Sequence, residues 1–338
     1  MKCIASFIIV ALSVAAAFAK KEVGRYSNGD NYRLYDDNTA SLAGTYRDNV
    51  KEFVIPAYIT DVKGKRYPVT EVEENAFNKR NIQKITIDGN NTGIVIKKNA
   101  FYGVVGLKEF NFYSRFVDVE IGGFDNVGSN VLFQGSGLPN AVDKLCEKYL
   151  KKWELSVGKN YRYVSDDRKK RDLFHLLKNF KNTFNIYEKM AYQDGAATVA
   201  FLGAGSRNGL TRLFRVMAIT MGIPSDEILA GCDNIHYCWN YVKCVGWSDQ
   251  SEAKKWHVLD YDEKIGSNLY YNPHAFQKEY SFVKTLKNFY GKSIQVNPHD
   301  FIVHNDRYNY PNESRYNYLN SENFDHYLQR TNGGERTL

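Results

Sequence analysis

The chain has 338 residues, of which 43% are apolar and 25% charged, an ordinary globular composition that can bury a sizeable core and by length suggests about two domains. A formal charge of +7 could favour acidic glycans or a membrane surface, but the basic residues are interspersed with acids and form no long block, so solvated faces account for them. The 25 tyrosines and 20 phenylalanines supply large amphipathic surfaces, most of them assigned to a β-rich core and the remainder to binding faces.

Taken in order, Met1 to Ala19 carries Lys2, the apolar run Ile4 to Ala17, and the small-x-small pattern Ala17-Phe18-Ala19. This reads as a secretory signal cleaved after Ala19. An uncleaved anchor is disfavoured because the run falls short of the ~20 residues that a spanning helix needs. No later stretch is long enough, so no membrane span is expected. Nucleic acid would be an odd partner for a secreted chain. Beyond the signal remain Cys146, Cys232, Cys238 and Cys244, which in an oxidising compartment permit two disulfides with three possible connectivities. Sequons place candidate glycosylation at Asn90 and Asn312.

A hairpin turn expected near Asp36-Asp37-Asn38 precedes Val50 to Ile59, which reads as an N-terminal strand capping a stack of repeats. Between Tyr67 and Gly135 the chain repeats itself: Val69 to Phe77, with Asn75-Ala76-Phe77 at its end, returns as Ile94 to Phe101 with Asn99-Ala100-Phe101, and more faintly as Val119 to Phe124. The phenylalanines at 77, 101 and 124 are spaced by 24 and then 23 residues. Apolar alternating strands, Ile82 to Ile87 and Leu107 to Phe112, come after the first two. One such unit cannot bury its own apolar edge, so the units must stack. Leu138 to Trp153 reads as an amphipathic helix that closes the stack. Over about residues 30–155 these motifs resemble the BspA-type leucine-rich repeats of secreted and surface proteins. The resemblance implies an array that presents surface, either to a ligand or merely as a scaffold.

From Ser165 the period becomes helical, with Leu173, Leu176, Leu177 and Phe180 on one face and His175 turned to solvent. Ala191 to Leu202 reads as an irregular, small-residue approach to a helix over Asn208 to Met221, which Gly222 ends and Pro224 forbids to continue. Ile228 to Gly231, Tyr237 to Val245 and Lys255 to Asp260 read as successive antiparallel strands. Gly205-Ser206-Arg207 at the helix start, Gly222-Ile223-Pro224 at its end, Tyr237-Cys238-Trp239 and Trp256-His257-Val258-Leu259-Asp260 together resemble the core of the transglutaminase-like superfamily, a papain-like fold.

That family places a cysteine, a histidine and an aspartate at three of these positions. This chain has Arg207, Tyr237 and Asp260 there. The reaction needs a thiolate at a helix N-terminus and a histidine to exchange its proton. Arginine has no nucleophilic atom, and tyrosine, with an ordinary pKa of about 10, is a poor base near neutrality. Among neighbours, Ser206 reads as the helix cap. His236 is offset by one residue and so points to the opposite strand face, where Cys238 shares its parity. Cys232, Cys238 and Cys244 with His236 lack the close pairs typical of zinc sites, and secretion favours disulfides. Phe276 to Tyr290 reads as a helix with Phe282, Leu286 and Phe289 as its stripe, succeeded by a tyrosine- and asparagine-rich tail that wraps the second domain.

The expected organisation is therefore a signal (1–19), a repeat domain (20–155), a transglutaminase-like domain (156–275) and a C-terminal extension (276–338). The fold class is α+β: a short β-rich leucine-rich-repeat solenoid leading into a papain-like α+β domain. The function expected is non-catalytic binding of an extracellular protein or glycan, without cofactor or metal. The rival is an active transglutaminase or cysteine peptidase with catalytic groups relocated to Ser206, His236 or Cys238.

Overall fold

The computed structural model describes residues 20–47, 50–91, 93–187, 195–225, 227–232, 238–244 and 255–259, with short strands at 276–277, 285–287 and 293–295. The signal and its cleavage position, Asn312, and most of the expected extension lie outside the described residues. The amino-terminal part is β-rich. Strands β1 (Glu22–Ser27), β2 (Asp30–Tyr35) and β3 (Ala40–Thr45) form an antiparallel meander. The β2–β3 turn falls where Asp36-Asp37-Asn38 predicts it, with Asn38 in the left-handed region at φ 63°, a conformation asparagine tolerates.

After the meander the chain alternates between two sheets. Strands β4 (Glu52–Ile55), β5 (Tyr58–Thr60), β6 (Arg66–Val72), β7 (Lys84–Ile87), β8 (Ile94–Ile96), β9 (Glu109–Phe112), β10 (Val117–Val119) and β11 (Leu132–Gln134) succeed one another in order. One sheet runs β1-β2-β3-β6-β8-β10, with β5 paired to β6; the other runs β11-β9-β7-β4. All pairs from β3 to β10 along the first path and throughout the second sheet are parallel. Each coil thus gives one strand to either sheet, which is the stacking that the 24- and 23-residue spacing demands.

The coil corners explain the repeated letters. Asn75 (φ 63°), Asn99 (φ 57°) and Gly122 (φ 86°) occupy one left-handed corner in successive coils, and Lys79, Gly103 and Asn126 a second. Asparagine and glycine recur there because the left-handed corner penalises other side chains. Neighbouring coils are joined across the first corner, where the Asn75 N–H donates to the Asn99 carbonyl and the Asn99 N–H to that of Gly122. The next residues inward are the phenylalanines. Phe77 lies 5.1 Å from Phe101, and Phe101 5.0 Å from Phe124, ring centre to ring centre. Phe53 begins the ladder, 4.9 Å from Phe77 and edge-on to it.

The reading of Val50 to Ile59 as one capping strand is corrected. Pro56, which has no N–H to donate, separates β4 from β5, and the two belong to different sheets. The β1–β3 meander caps the first sheet instead.

Helix α1 (Leu138–Lys152) closes the stack as expected, burying Leu138, Ala141, Val142, Leu145, Cys146, Tyr149 and Leu150. Next come α2 (Asp166–Thr183), β12 (Asn185–Ile186), α3 (Ala196–Leu202), β13 (Ala204–Gly205) and α4 (Arg207–Met221). The expected Leu173, Leu176, Leu177 and Phe180 stripe is buried on α2, and His175 is exposed. Helix α3 corrects the irregular approach expected before α4. Its Phe201 stacks on Phe112 at 5.4 Å and meets Phe124 and Phe133, so the ring ladder of the coils continues into the helical part. Strands β14 (Ile228–Cys232), β15 (Cys238–Cys244) and β16 (Lys255–Leu259) are antiparallel neighbours, as expected. Residues 276–277 pair with β16 and 285–287 with 293–295, which replaces the helix expected over Phe276 to Tyr290. No helix among the described residues is long and apolar enough to cross a membrane.

Candidate functional site

Two places bear on function: the start of α4, where the sequence motifs converge, and a cleft at the amino end of the coils. At α4 the parallel pair β12–β13 holds the entry, with Asn185 opposite Ala204 and Ile186 opposite Gly205. Ser206 is the N-cap, buried, its Oγ accepting the Gly209 N–H at 3.2 Å. Its side chain therefore serves the helix end in the manner the sequence suggests. Arg207 comes next as the first helical residue and is half-buried. Deeper along the helix, Asn240 Nδ2 donates to the Thr211 carbonyl at 3.2 Å, tying β15 to α4. Tyr237, His236 and Asp260 lie outside the described residues. Cys232 and Cys238 stand opposite each other in the β14–β15 register, while Cys244 pairs with Lys255 on β16.

The far end of α4 is fixed more firmly. Gly222 takes φ 118°, and a Cβ there would overlap the Lys159 carbonyl oxygen. The Gly158 and Lys159 N–H groups donate to the Thr220 and Met221 carbonyls, and the Tyr161 N–H to that of Gly222. Arg215 reaches across with Nε to the Ile228 carbonyl at 2.9 Å. Lys169, fully buried on α2, pairs with Glu227 just past Pro224. Nearby, the Tyr161 hydroxyl donates to Asp172 at 2.5 Å, and Arg168 pairs with the same carboxylate at 2.9 Å. Burial, reinforced by that carboxylate, pushes the Tyr161 phenol well above its ordinary value. These contacts serve to hold the turn.

The open site is elsewhere. A cleft of about 510 Å³ lies between the β1–β2 hairpin and the β4–β5 segment, lined by Tyr26, Asp30, Tyr32, Arg47, Glu52 and Tyr58 among others. That volume falls within the ~300–1,000 Å³ of small-ligand clefts. Its floor is rigid. Asp30 is buried at 4% exposure; its Oδ1 accepts from Thr45 Oγ at 2.7 Å and its Oδ2 lies 2.8 Å from Arg47 Nη2. The turn beside it at Gly29 takes φ 93°, a left-handed conformation that favours glycine. Tyr32 is buried beside Tyr26, their rings 6.4 Å apart. Burial and the Asp30 charge push its phenol strongly upward, so it stays a neutral donor.

On the opposite wall Tyr58 is exposed, and the Arg66 guanidinium sits over its ring, 3.4 Å from the centre. Tyr58 also lines a second, smaller cleft of about 270 Å³ with Arg66, Thr70, Asn90 and Asn91. Asn90, the candidate glycosylation site, is exposed there and its N–H donates to Asp88 Oδ1. The sequence singles out none of the residues lining the larger cleft. They are dispersed over residues 26–60 and meet only because the meander folds beside β4 and β5; the one hint is the excess of tyrosine.

No protein-family model matches the chain, and a search of curated proteins finds no match. Among solved structures, the chain is similar to a leucine-rich repeat protein from Bacteroides capillosus at 25% identity, covering 32% of this chain and 68% of that one with a TM-score of 0.23. It is also similar to a leucine rich cell surface protein from Faecalibacterium prausnitzii at 21% identity, covering 35% of this chain and 31% of that one with a TM-score of 0.26. A leucine-rich repeat protein from Bacteroides ovatus is similar at 16% identity, covering 35% and 37% with a TM-score of 0.22. The chain thus spans about a third of the length of the latter two.

Proposed function

We propose that this is a secreted, non-catalytic binding protein in which a BspA-type leucine-rich-repeat array is joined to a transglutaminase-like domain that has lost its chemistry. The observation that carries the reading is the open cleft of Tyr26, Asp30, Arg47, Glu52 and Tyr58, set beside an α4 start where the Ser206 hydroxyl is engaged as a cap and Arg207 is the first helical residue. Rigid polar groups beside exposed aromatic rings suit recognition without reaction. Ligands outside the cell, protein or glycan, are retained at the amino end of the array, and the helical part supports it.

The test pairs a binding assay with a reaction assay on the full chain. Immobilised extracellular-matrix glycoproteins are expected to retain the protein and to lose it on Tyr58→Ala together with Arg47→Ala. Incubation with a glutamine peptide and a labelled amine is expected to give no conjugate. Amine incorporation that disappears on Cys238→Ala would overturn the non-catalytic reading.

A further inference from the structure

We propose that the cleft between the β1–β2 hairpin and β4–β5 takes an uncharged oligosaccharide, one sugar ring lying on Tyr58 with its hydroxyls held by Glu52 and by Arg47, which Asp30 orients. The assignment rests on the cleft being the ligand site proposed above and names the class of ligand it takes.

The first support is the state of the Tyr58 ring. Arg66 lies over it at 3.4 Å and lines the smaller cleft but not the larger. One face of the ring is therefore covered by Arg66, while Tyr58 itself lines the larger cleft as well. An exposed ring held in one orientation loses little freedom on binding. The apolar face of a pyranose, with its outward C–H bonds, matches the negative face of such a ring. Val54, 58% exposed on the adjoining wall, extends the apolar strip.

The second support is the polar set facing it. Asp30, buried, accepts one bond on Oδ1 and pairs with Arg47 through Oδ2, so it orients the Arg47 guanidinium, whose side chain is 45% exposed and whose five donors are not all used by Asp30. Neighbouring hydroxyls of a sugar can accept from that planar group, and Glu52, which also lines the cleft, can accept from them. The third support is charge. Two carboxylates, Asp30 and Glu52, outweigh the single guanidinium of Arg47, which disfavours sulfated or phosphorylated ligands and leaves neutral sugars as the fit.

Isothermal titration calorimetry of the full chain with neutral hexasaccharides of glucose, mannose and xylose, and with a heparin hexasaccharide for comparison, tests the proposal. At least one neutral sugar is expected to bind and heparin is not. Tyr58→Ala should weaken that binding about tenfold or more, Tyr58→Phe should retain most of it, and Arg66→Ala, which frees the ring, should weaken it a few-fold. Thermal unfolding of each variant separates loss of binding from loss of fold. Binding of heparin alone overturns the proposal, as does neutral-sugar binding indifferent to Tyr58→Ala. If matrix glycoproteins still bind in a Tyr58-dependent way after enzymatic removal of their sugars, the cleft stands as the ligand site and its assignment to sugar fails; if Tyr58→Ala and Arg47→Ala change no interaction, both fail.

Discussion

Replacing Phe101 with alanine is expected to destabilise the protein by about 4–5 kcal/mol, the upper part of the ~3–5 kcal/mol range for buried Phe→Ala changes. The position justifies the upper part. Phe101 is fully buried and meets Phe77, Phe110 and Phe124 at 5.1, 5.0 and 5.0 Å. Its neighbours cannot collapse into the space, because backbone bonds lock the flanking coils: the Phe77 N–H donates to the Ala100 carbonyl and the Phe101 N–H to that of Gly123. Phe53 provides the contrast. It stands at the end of the ladder, slightly exposed, with one ring contact at 4.9 Å to Phe77, so Phe53→Ala should cost about 3 kcal/mol or less. Against the ~5–15 kcal/mol of a typical domain, the first change is severe and the second tolerable. Guanidinium titration followed by circular dichroism reads both, through the midpoint at constant slope. If Phe101→Ala costs no more than Phe53→Ala, or less than about 2 kcal/mol, the ladder does not carry the core as argued.

Four further outcomes are expected. Gly222→Ala should prevent folding or cost well over about 3 kcal/mol, because the added Cβ overlaps the Lys159 backbone, whereas Gly203→Ala, also left-handed at φ 73° but with open space around it, should cost about 1 kcal/mol; thermal melts distinguish them. Glu227→Leu, which removes the carboxylate paired with the buried Lys169, should cost about 3–5 kcal/mol, and adding Lys169→Met should recover much of that, as read by a double-mutant cycle. Alkali should destabilise the fold: burial pushes Tyr149 up to about 12, so the unfolded chain, with its phenol near 10, loses the proton first. Stability then falls from about pH 10 and the loss is complete above the folded value; denaturant midpoints and tyrosinate absorbance followed together check it. Finally, non-reducing peptide mapping of protein produced in an oxidising compartment should join Cys232 to Cys238, since these stand opposite in register and opposed residues of an antiparallel pair lie about 4.5–5.5 Å apart at Cα, within the range a disulfide spans; mapping that joins Cys232 to Cys244 would refute this.

How much of the molecule is legible in the sequence depends on whether the signal is local. The Asn-Ala-Phe corners announce themselves because each coil needs a left-handed residue before an inward ring, and the same need recurs after 24 and 23 residues. The bounds of α4 are legible for the same reason: Ser206 caps it and Gly222 ends it within a few residues of where each is written. Helix α3 is not. Ala196-Ala197-Thr198-Val199-Ala200-Phe201 is buried along almost its whole length, so it shows no polar face and no helical period. The cap is hidden because the apolar run from Val50 to Ile59 has the pattern of one strand, while Pro56 divides it between sheets. The cleft is invisible since its walls come from the meander and from β4–β5, whose partners in space are not neighbours in sequence.

The alternation of strands between two sheets also acts as a ruler. The array can lengthen only by whole coils, because a partial coil would put a corner residue where a ring belongs. Each added coil would move the amino-end cleft away from α1 and α3 by one inter-strand spacing of about 4.8 Å. From β4 to β11 there are three such steps, or roughly 14 Å, between the strand that borders the cleft and the strand against which Phe201 packs. The reach of the ligand site beyond the helical part is thereby quantised, and insertion or deletion of one 23- or 24-residue unit would change that reach without redesigning either end.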